Sequence, residues 1–460
     1  MAESGTTSLV TPPSVPDRSS GWVWWAVVFA LRPVRLAYHR PLRAFLVCGA
    51  ILVATAALLV VGLLAYFEYH LRVARREVDL GHNAVATRHL WSCRWVRPEQ
   101  REVLLLASRV ARRSGSWSES ELLLDRYWER YGDDETLVLE RLLDRATRGD
   151  VDSAAPHLLS RIEQGGQEAD LAREALITGL VYRFRWAEAV GLLDSWLSQA
   201  PDTTTALLLR GKLQEQRRQT SEALLTYRRM LELDPAHDEA RLRLATLLLI
   251  LRQGGEAATH LGYLRQTLPD NPIIHTQWAQ ALALQGRTAE ARAALDDCLR
   301  AHPDQPAALT ERGRFALTDG DDQAAEEYFA HALRLDPGNL ATRNLHLMVL
   351  VRSGKTAEAD KERVRIATLE ADGERIDKLI SGPLQNTPND PAVHHEIGMI
   401  ALRAGQPIEA LRWFQSSLQV GPNYLPTHQI LATYYHETGN PVLAAKHRAI
   451  SQRLNAPKGP

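Results

Sequence analysis

Residues 204–237 read TTALLLRGKLQEQRRQTSEALLTYRRMLELDPAH. Apolar side chains recur there at helical spacing in two runs, one including Ala206 to Gln216 and one from about Ser221 to Leu233. Gly211 on the first run and Ala223 on the second are small, so the two helices can approach closely, and Tyr227 supplies bulk beside them. Asp234-Pro235 ends the second helix, because a residue before proline is pushed out of the α region.

The same unit returns along the chain. Pro201, Pro235, Pro269, Pro303 and Pro337 fall 34 residues apart, as do Ala155, Ala189, Ala223, Ala257, Ala291 and Ala325. Gly211, Ala245, Ala279 and Gly313 keep the same period. The turn between the two helices carries Gly286, Gly320, Gly354, Gly405 and Gly439, since glycine accepts the left-handed conformation that stops a helix. Thr288, Thr356 and Ser221 are placed to cap the helix that follows, and Asp390-Pro391 reads as a cap and first helical residue. Leu347 and Ala359 hold the frame, but Arg363 stands where an aromatic belongs. The frame resumes half a period late at Gly398, then Ala410, Phe414, Pro422, Ala432, Tyr435 and Ala444. Glu374 to Leu384 fills the extra half-period, either as a helix of its own or as an extension of the one before, making a kink or a projection.

Over roughly residues 80–455 this pattern resembles the tetratricopeptide repeat. The resemblance implies an all-α fold: a right-handed solenoid of stacked helix pairs, the first helix of each pair lining the concave side. One unit cannot bury its own apolar faces, so the units must stack. Degenerate repeats are expected over 80–200, where Leu143 and Ile177 replace the small residue. Regular repeats are expected over 201–373, an insertion over 374–390 and C-terminal repeats over 391–456.

Upstream, residues 44–67 (AFLVCGAILVATAALLVVGLLAYF) carry no charge, and a helix needs about 20 such residues to cross a bilayer. They read as a single transmembrane helix leaving the membrane at Tyr66, Phe67 and Tyr69. Its own outward continuation through Arg72 to Asp79 would serve as the first helix of the first pair. Residues 22–43, with Trp22, Trp24, Trp25 and four arginines, read as an interfacial segment; residues 1–21 and 457–460 read as disordered tails. Four arginines before the span against three after it put the solenoid outside the cytoplasm of a bacterial inner membrane; the reverse topology leaves it cytoplasmic.

The formal net charge of −1, from 54 basic and 55 acidic residues, argues against a dedicated nucleic-acid binder. The three cysteines form neither a disulfide framework nor a zinc motif. No phosphate-binding glycine loop, nucleophile elbow or zinc-protease motif occurs. His394-His395-Glu396 is the most metal-like cluster, but adjacent helical residues point to different faces. No cofactor is expected and no catalysis. The early tryptophans 91, 95, 117, 128, 186 and 196 are expected mainly to fill the core of degenerate repeats.

The resemblance places the binding surface in the concave groove, at Lys212, Thr246, Thr276, Gln280, Thr310, Arg314, Asn344, Met348, His395, Met399, Gln429 and Thr433. It departs from the carboxylate clamp of chaperone adaptors: Leu208, Leu242 and Thr246 stand where several clamp residues would be. The expected function is a membrane-tethered adaptor for other proteins or peptides, in envelope assembly or protein quality control. The partners are proteins and, through 44–67, the lipid bilayer. A self-assembling, homo-oligomeric membrane protein is the alternative.

Overall fold

The computed structural model describes residues 41–456; the expected tails at 1–21 and 457–460 and residues 22–40 of the interfacial segment lie outside the described residues. Within them the fold is all-α, without strands. It begins with α1 (Pro41–Asp79), a single helix of 39 residues. There follow α2 (Asn83–Val96), α3 (Arg101–Arg113), α4 (Trp117–Tyr131), α5 (Glu135–Thr147), α6 (Val151–Gln164), α7 (Gln167–Tyr182) and α8 (Trp186–Gln199). The regular region holds α9 (Thr204–Gln216), α10 (Thr220–Leu233), α11 (Asp238–Ile250), α12 (Gly254–Thr267), α13 (Pro272–Leu284), α14 (Thr288–Ala301), α15 (Pro306–Asp319) and α16 (Asp322–Leu335). The chain closes with α17 (Leu340–Arg352), α18 (Thr356–Ser381), α19 (Pro383–Asn386), α20 (Pro391–Arg403), α21 (Pro407–Val420), α22 (Leu425–Glu437) and α23 (Pro441–Asn455). Apart from the short α19, these pack as consecutive antiparallel pairs, beginning with α1 against α2.

The small–aromatic alternation has a direct steric meaning. A Cβ added at Gly211 would lie 2.5 Å from the Tyr227 ring; at Gly313, 2.6 Å from Phe329; at Gly398, 2.6 Å from Phe414. All three rings are fully buried, each contributing about 2 kcal/mol by area removed from water. The glycine lets the ring of the second helix lie flat on the backbone of the first.

Every turn inside a pair passes through the left-handed region. Eight use glycine, from Gly81 to Gly439, with φ between 71° and 94°. Three do not: Phe184, Arg218 and Arg252 hold φ of 58–59° at the equivalent position, at a cost of about 1 kcal/mol each. The expected caps Thr288 and Thr356 are instead the first helical residues, preceded by Arg287 and Lys355, which make no side-chain cap. Asp390 does cap α20, its carboxylate accepting from Ala392 N–H.

Two contacts far apart in sequence close the coil. His82, in the first turn, bridges Glu77 and Asp234, each at 2.6 Å, with its side chain only 8% exposed. Arg183, in the fourth turn, is buried and donates to Ser416 Oγ at 2.8 Å. Beside it the Phe184 ring stacks on Trp413 at 4.9 Å, and Arg412 lies 5.0 Å from both the Trp117 and Tyr182 rings. The C-terminal pairs therefore fold back onto the second to fourth pairs. The long α18 precedes this return: its final turns, with Ile376, Leu379 and Ile380, pack on Leu384, Val393 and Trp413.

Candidate protein-binding groove

The first helices of successive pairs lie side by side, and their polar side chains meet at a recurring offset of 31 residues. Gln277 Nε2 donates to Thr246 Oγ1 at 2.9 Å, and Gln280 Nε2 donates to Glu311 Oε1 at 3.1 Å. Glu311 in turn accepts from Arg314 at 3.1 Å. This ladder walls an open groove of about 520 Å³ across α11, α13 and α15, with Leu249, Ile250, Leu284 and Phe315 as its apolar lining. Ile250 is 66% exposed, and the Gln277 carbonyl oxygen has no partner within the chain. A surface of this kind, apolar with two fixed amides and the exposed guanidinium groups of Arg252 and Arg314, can take an extended peptide: side chains into the apolar strip, backbone groups onto the amides.

Three of the groove positions read from the sequence, Thr246, Gln280 and Arg314, are brought together here. The others are dispersed. Lys212 pairs with Glu239 at 2.7 Å and lines a separate, narrower space of about 110 Å³. Thr276 is buried, its hydroxyl donating to the Pro272 carbonyl of its own helix. Thr310 donates to Pro306 O and meets the Thr342 hydroxyl at 2.9 Å. Asn344 and Met348 are exposed on α17. His395 is half-buried, its Nδ1 3.0 Å from Thr427 Oγ1, and Met399 packs beside the Phe414 cluster. Gln429 and Thr433 share a shallow hollow with Arg448 and Gln452 at the C-terminal end. Sequence reasoning passed over Gln277, Glu311, Ile250 and Phe315. Their signal was available: each partner in the ladder lies one period minus one helical turn from the next.

The equivalent face of the early pairs is occupied by ion pairs. Glu140, with no solvent exposure, accepts from Arg109 at 2.6 Å and Arg112 at 2.8 Å, and these guanidinium groups outweigh burial and hold its carboxyl below the usual range. Arg113 reaches two pairs onward to Glu174, at 2.7 Å. Arg243 joins Glu215 and Glu239. The open groove starts where this network ends.

The three neighbours His394, His395 and Glu396 turn to three different places. His394 is buried, donating from Nε2 to Pro388 O and accepting at Nδ1 from Ser416; burial pushes it down to about 4. Glu396 pairs with Arg375 on α18 at 2.6 Å. The tryptophans divide as well. Trp196 is buried as expected, but Trp91, Trp95 and Trp128 are 71%, 72% and 48% exposed, because Ala86, Leu90 and Cys93 on α2 and Leu123, Leu124 and Tyr127 on α4, not the indoles, face the core.

Fold and groove together define an α-solenoid of the protein-interaction class, in which stacked helix pairs present a continuous inner face. A profile of the tetratricopeptide repeat matches residues 174–238 and 276–339, and the chain is a tetratricopeptide-repeat protein. It is 26% identical over 218 residues to the TPR repeat-containing protein PA4667 of Pseudomonas aeruginosa, an overlap of 46% of this chain and 34% of the relative, so it spans about a third of that protein's length. Among solved structures it is similar to MamA from Desulfovibrio magneticus RS-1, with 19% identity, a TM-score of 0.34, and coverage of 37% of this chain and 96% of that one. It is also similar to PilW, a type IV pilus biogenesis factor, with 19% identity, a TM-score of 0.38, and coverage of 44% and 93%.

Proposed function

We propose that the chain is a membrane-tethered adaptor that holds segments of other proteins in the groove across α11, α13 and α15. The observation that carries this reading is the groove itself: an apolar strip with Ile250 exposed, bordered by the Gln277 and Gln280 amides that Thr246 and Glu311 hold in place. Tethering is supported by α1. Leu52, Val53, Leu58 and Leu59 are each 68–74% exposed among the described residues, and the helix is long and apolar enough to span a bilayer. Anchoring raises the effective concentration toward partners that are themselves membrane-bound. The task this fits is assembly or quality control of envelope proteins, with the solenoid outside the cytoplasm of a bacterial inner membrane.

The test is affinity capture of the full chain from detergent-solubilised membranes, beside a variant carrying Ile250→Glu, Gln280→Ala and Arg314→Glu. A stoichiometric protein held by the intact chain and lost by the variant supports the adaptor reading. Equal capture by both moves the binding surface elsewhere. Recovery of further copies of the chain alone favours self-assembly instead. Protease accessibility of the solenoid in intact cells decides the topology.

A further inference from the structure

The second helix returns along the first. Its inward face, Ala86, Leu90 and Cys93, packs on Phe67, Leu71, Ala74 and Val78 of α1. Two contacts set the register: His89 Nδ1 lies 2.8 Å from His70 Nδ1, and Cys93 Sγ lies 3.9 Å from Phe67 O. Trp91 is thus level with the residues just after Phe67, and Trp95 is about 6 Å farther toward the apolar end of α1, at 1.5 Å rise per residue. Both indoles point away from α1, on the face opposite the packed one, and are the most exposed tryptophans of the described residues. Tyr66 and Tyr69 are 44% and 61% exposed at the same level. The second pair continues the ring: Tyr131 donates to Glu99 O at 2.8 Å, which brings the end of α4, with Trp128, beside the turn that follows α2.

We propose that this aromatic face, Tyr66, Tyr69, Trp91, Trp95, Trp128 and Tyr131, is a lipid-docking surface that seats the first two helix pairs in the headgroup layer of the bilayer. The inference rests on the reading of α1 as a membrane-spanning helix. What selects lipid as the occupant is depth and residue type. The face lies at the level along α1 where the helix's exposed aliphatic surface stops. It is built of indoles and phenols, which favour the boundary where one side is dry and the other wet. Arg97, whose guanidinium lies 5.3 Å from the Phe67 ring, sits at the same depth and keeps its charged end toward the headgroups. Docking there removes the swivel a lone transmembrane helix would allow and fixes which way the groove faces.

The experiment uses the full chain with Cys48→Ala, reconstituted in phosphatidylcholine vesicles. An environment-sensitive fluorophore is placed by a single added cysteine at position 95, 91, 59 or 408; native Cys93 and Cys298 are buried. Nitroxide-labelled lipids serve as depth-resolved quenchers. Position 59 reports whether α1 spans, and exposed Ile408 reports a surface far along the chain. The expected result is strong quenching at 91 and 95 by shallow nitroxides, at least threefold above that at 408, with 59 quenched by deep ones. If 59 is quenched and 95 behaves like 408, the docking surface is refuted while the span stands. If 59 is not quenched, the span itself fails. A blue shift at 95 without lipid quenching, lost on diluting protein into lipid, assigns the face to a second copy and overturns the proposal. Trp95→Arg, which removes the indole without a label, should leave thermal unfolding in detergent unchanged and at least double the rotational mobility of the solenoid in vesicles.

Discussion

Replacing Gly313 by alanine isolates the glycine–ring contact that three of the helix pairs share. Alanine is better than glycine inside a helix by about 1 kcal/mol, so propensity alone predicts a gain. At Gly313 the new methyl would meet three Phe329 ring atoms at 2.6, 2.9 and 3.0 Å. That ring is fully buried among Ala316, Ala325 and Val349, so it yields only by displacing its neighbours. Forcing a methyl into such a core costs about 1–3 kcal/mol. The net expectation is a loss of about 1 kcal/mol. Gly373 supplies the control: it lies within α18 with nothing near its Cβ position, so Gly373→Ala should stabilise by up to about 1 kcal/mol. The two substitutions are chemically identical, and their difference, about 1–3 kcal/mol, measures the ring contact alone. Repeat arrays open locally, so the assay is hydrogen exchange of peptides covering α15–α16 and α18, read at each site. Equal stabilisation at both glycines would refute the close approach of the paired helices.

The histidine staple predicts a pH dependence with opposing limbs. Burial lowers His82, but the carboxylates of Asp234 and Glu77 outweigh it and raise its pKa above the ordinary 6.5. Its contribution is complete below that value and is lost as pH rises through the higher folded value. Thermal unfolding in detergent should therefore weaken on the alkaline side, and His82→Gln should flatten that limb. His237 and His394, both buried and held near 4, act oppositely and cost stability as pH falls from about 6.5 toward 4; His82→Gln should ease the His237 part of that acid limb, since the His82 charge helps depress it, and leave the His394 part in place. Glu140→Ala leaves two guanidinium groups facing an emptied, dry site and should cost about 3–5 kcal/mol, seen as exchange localised to α3 and α5. Trp413→Ala removes the ring beneath Phe184 and should open the contact between the fourth turn and the C-terminal pairs, raising the radius of gyration in scattering; an unchanged profile would mean that contact does not hold the coil closed.

The pairwise architecture was legible because each of its marks answers a local constraint. Gly211 or Gly313 admits a ring, Asp234-Pro235 ends a helix, and Gly286 or Gly439 takes a left-handed turn. Where the constraint is met by an unexpected residue, the mark disappears: Phe184, Arg218 and Arg252 sit in the glycine position and look like ordinary helix. The groove was half legible. The 34-residue frame located Thr246, Gln280 and Arg314, but depth depends on rotation about each helix, so Thr276 fell inside and Thr310 lies half-buried against Thr342. The closures at His82–Asp234 and Arg183–Ser416 were not legible at all. They depend on a small twist accumulated over several pairs, which no single residue encodes.

The central claim is that partners bind on the inner face at α11–α15. The most direct measurement places a photo-crosslinking amino acid at position 280, in the groove, and in a second chain at Arg300, exposed on α14, and irradiates intact cells. The account predicts a discrete crosslinked protein from position 280 and none from 300. A product from 300 with none from 280 would contradict it.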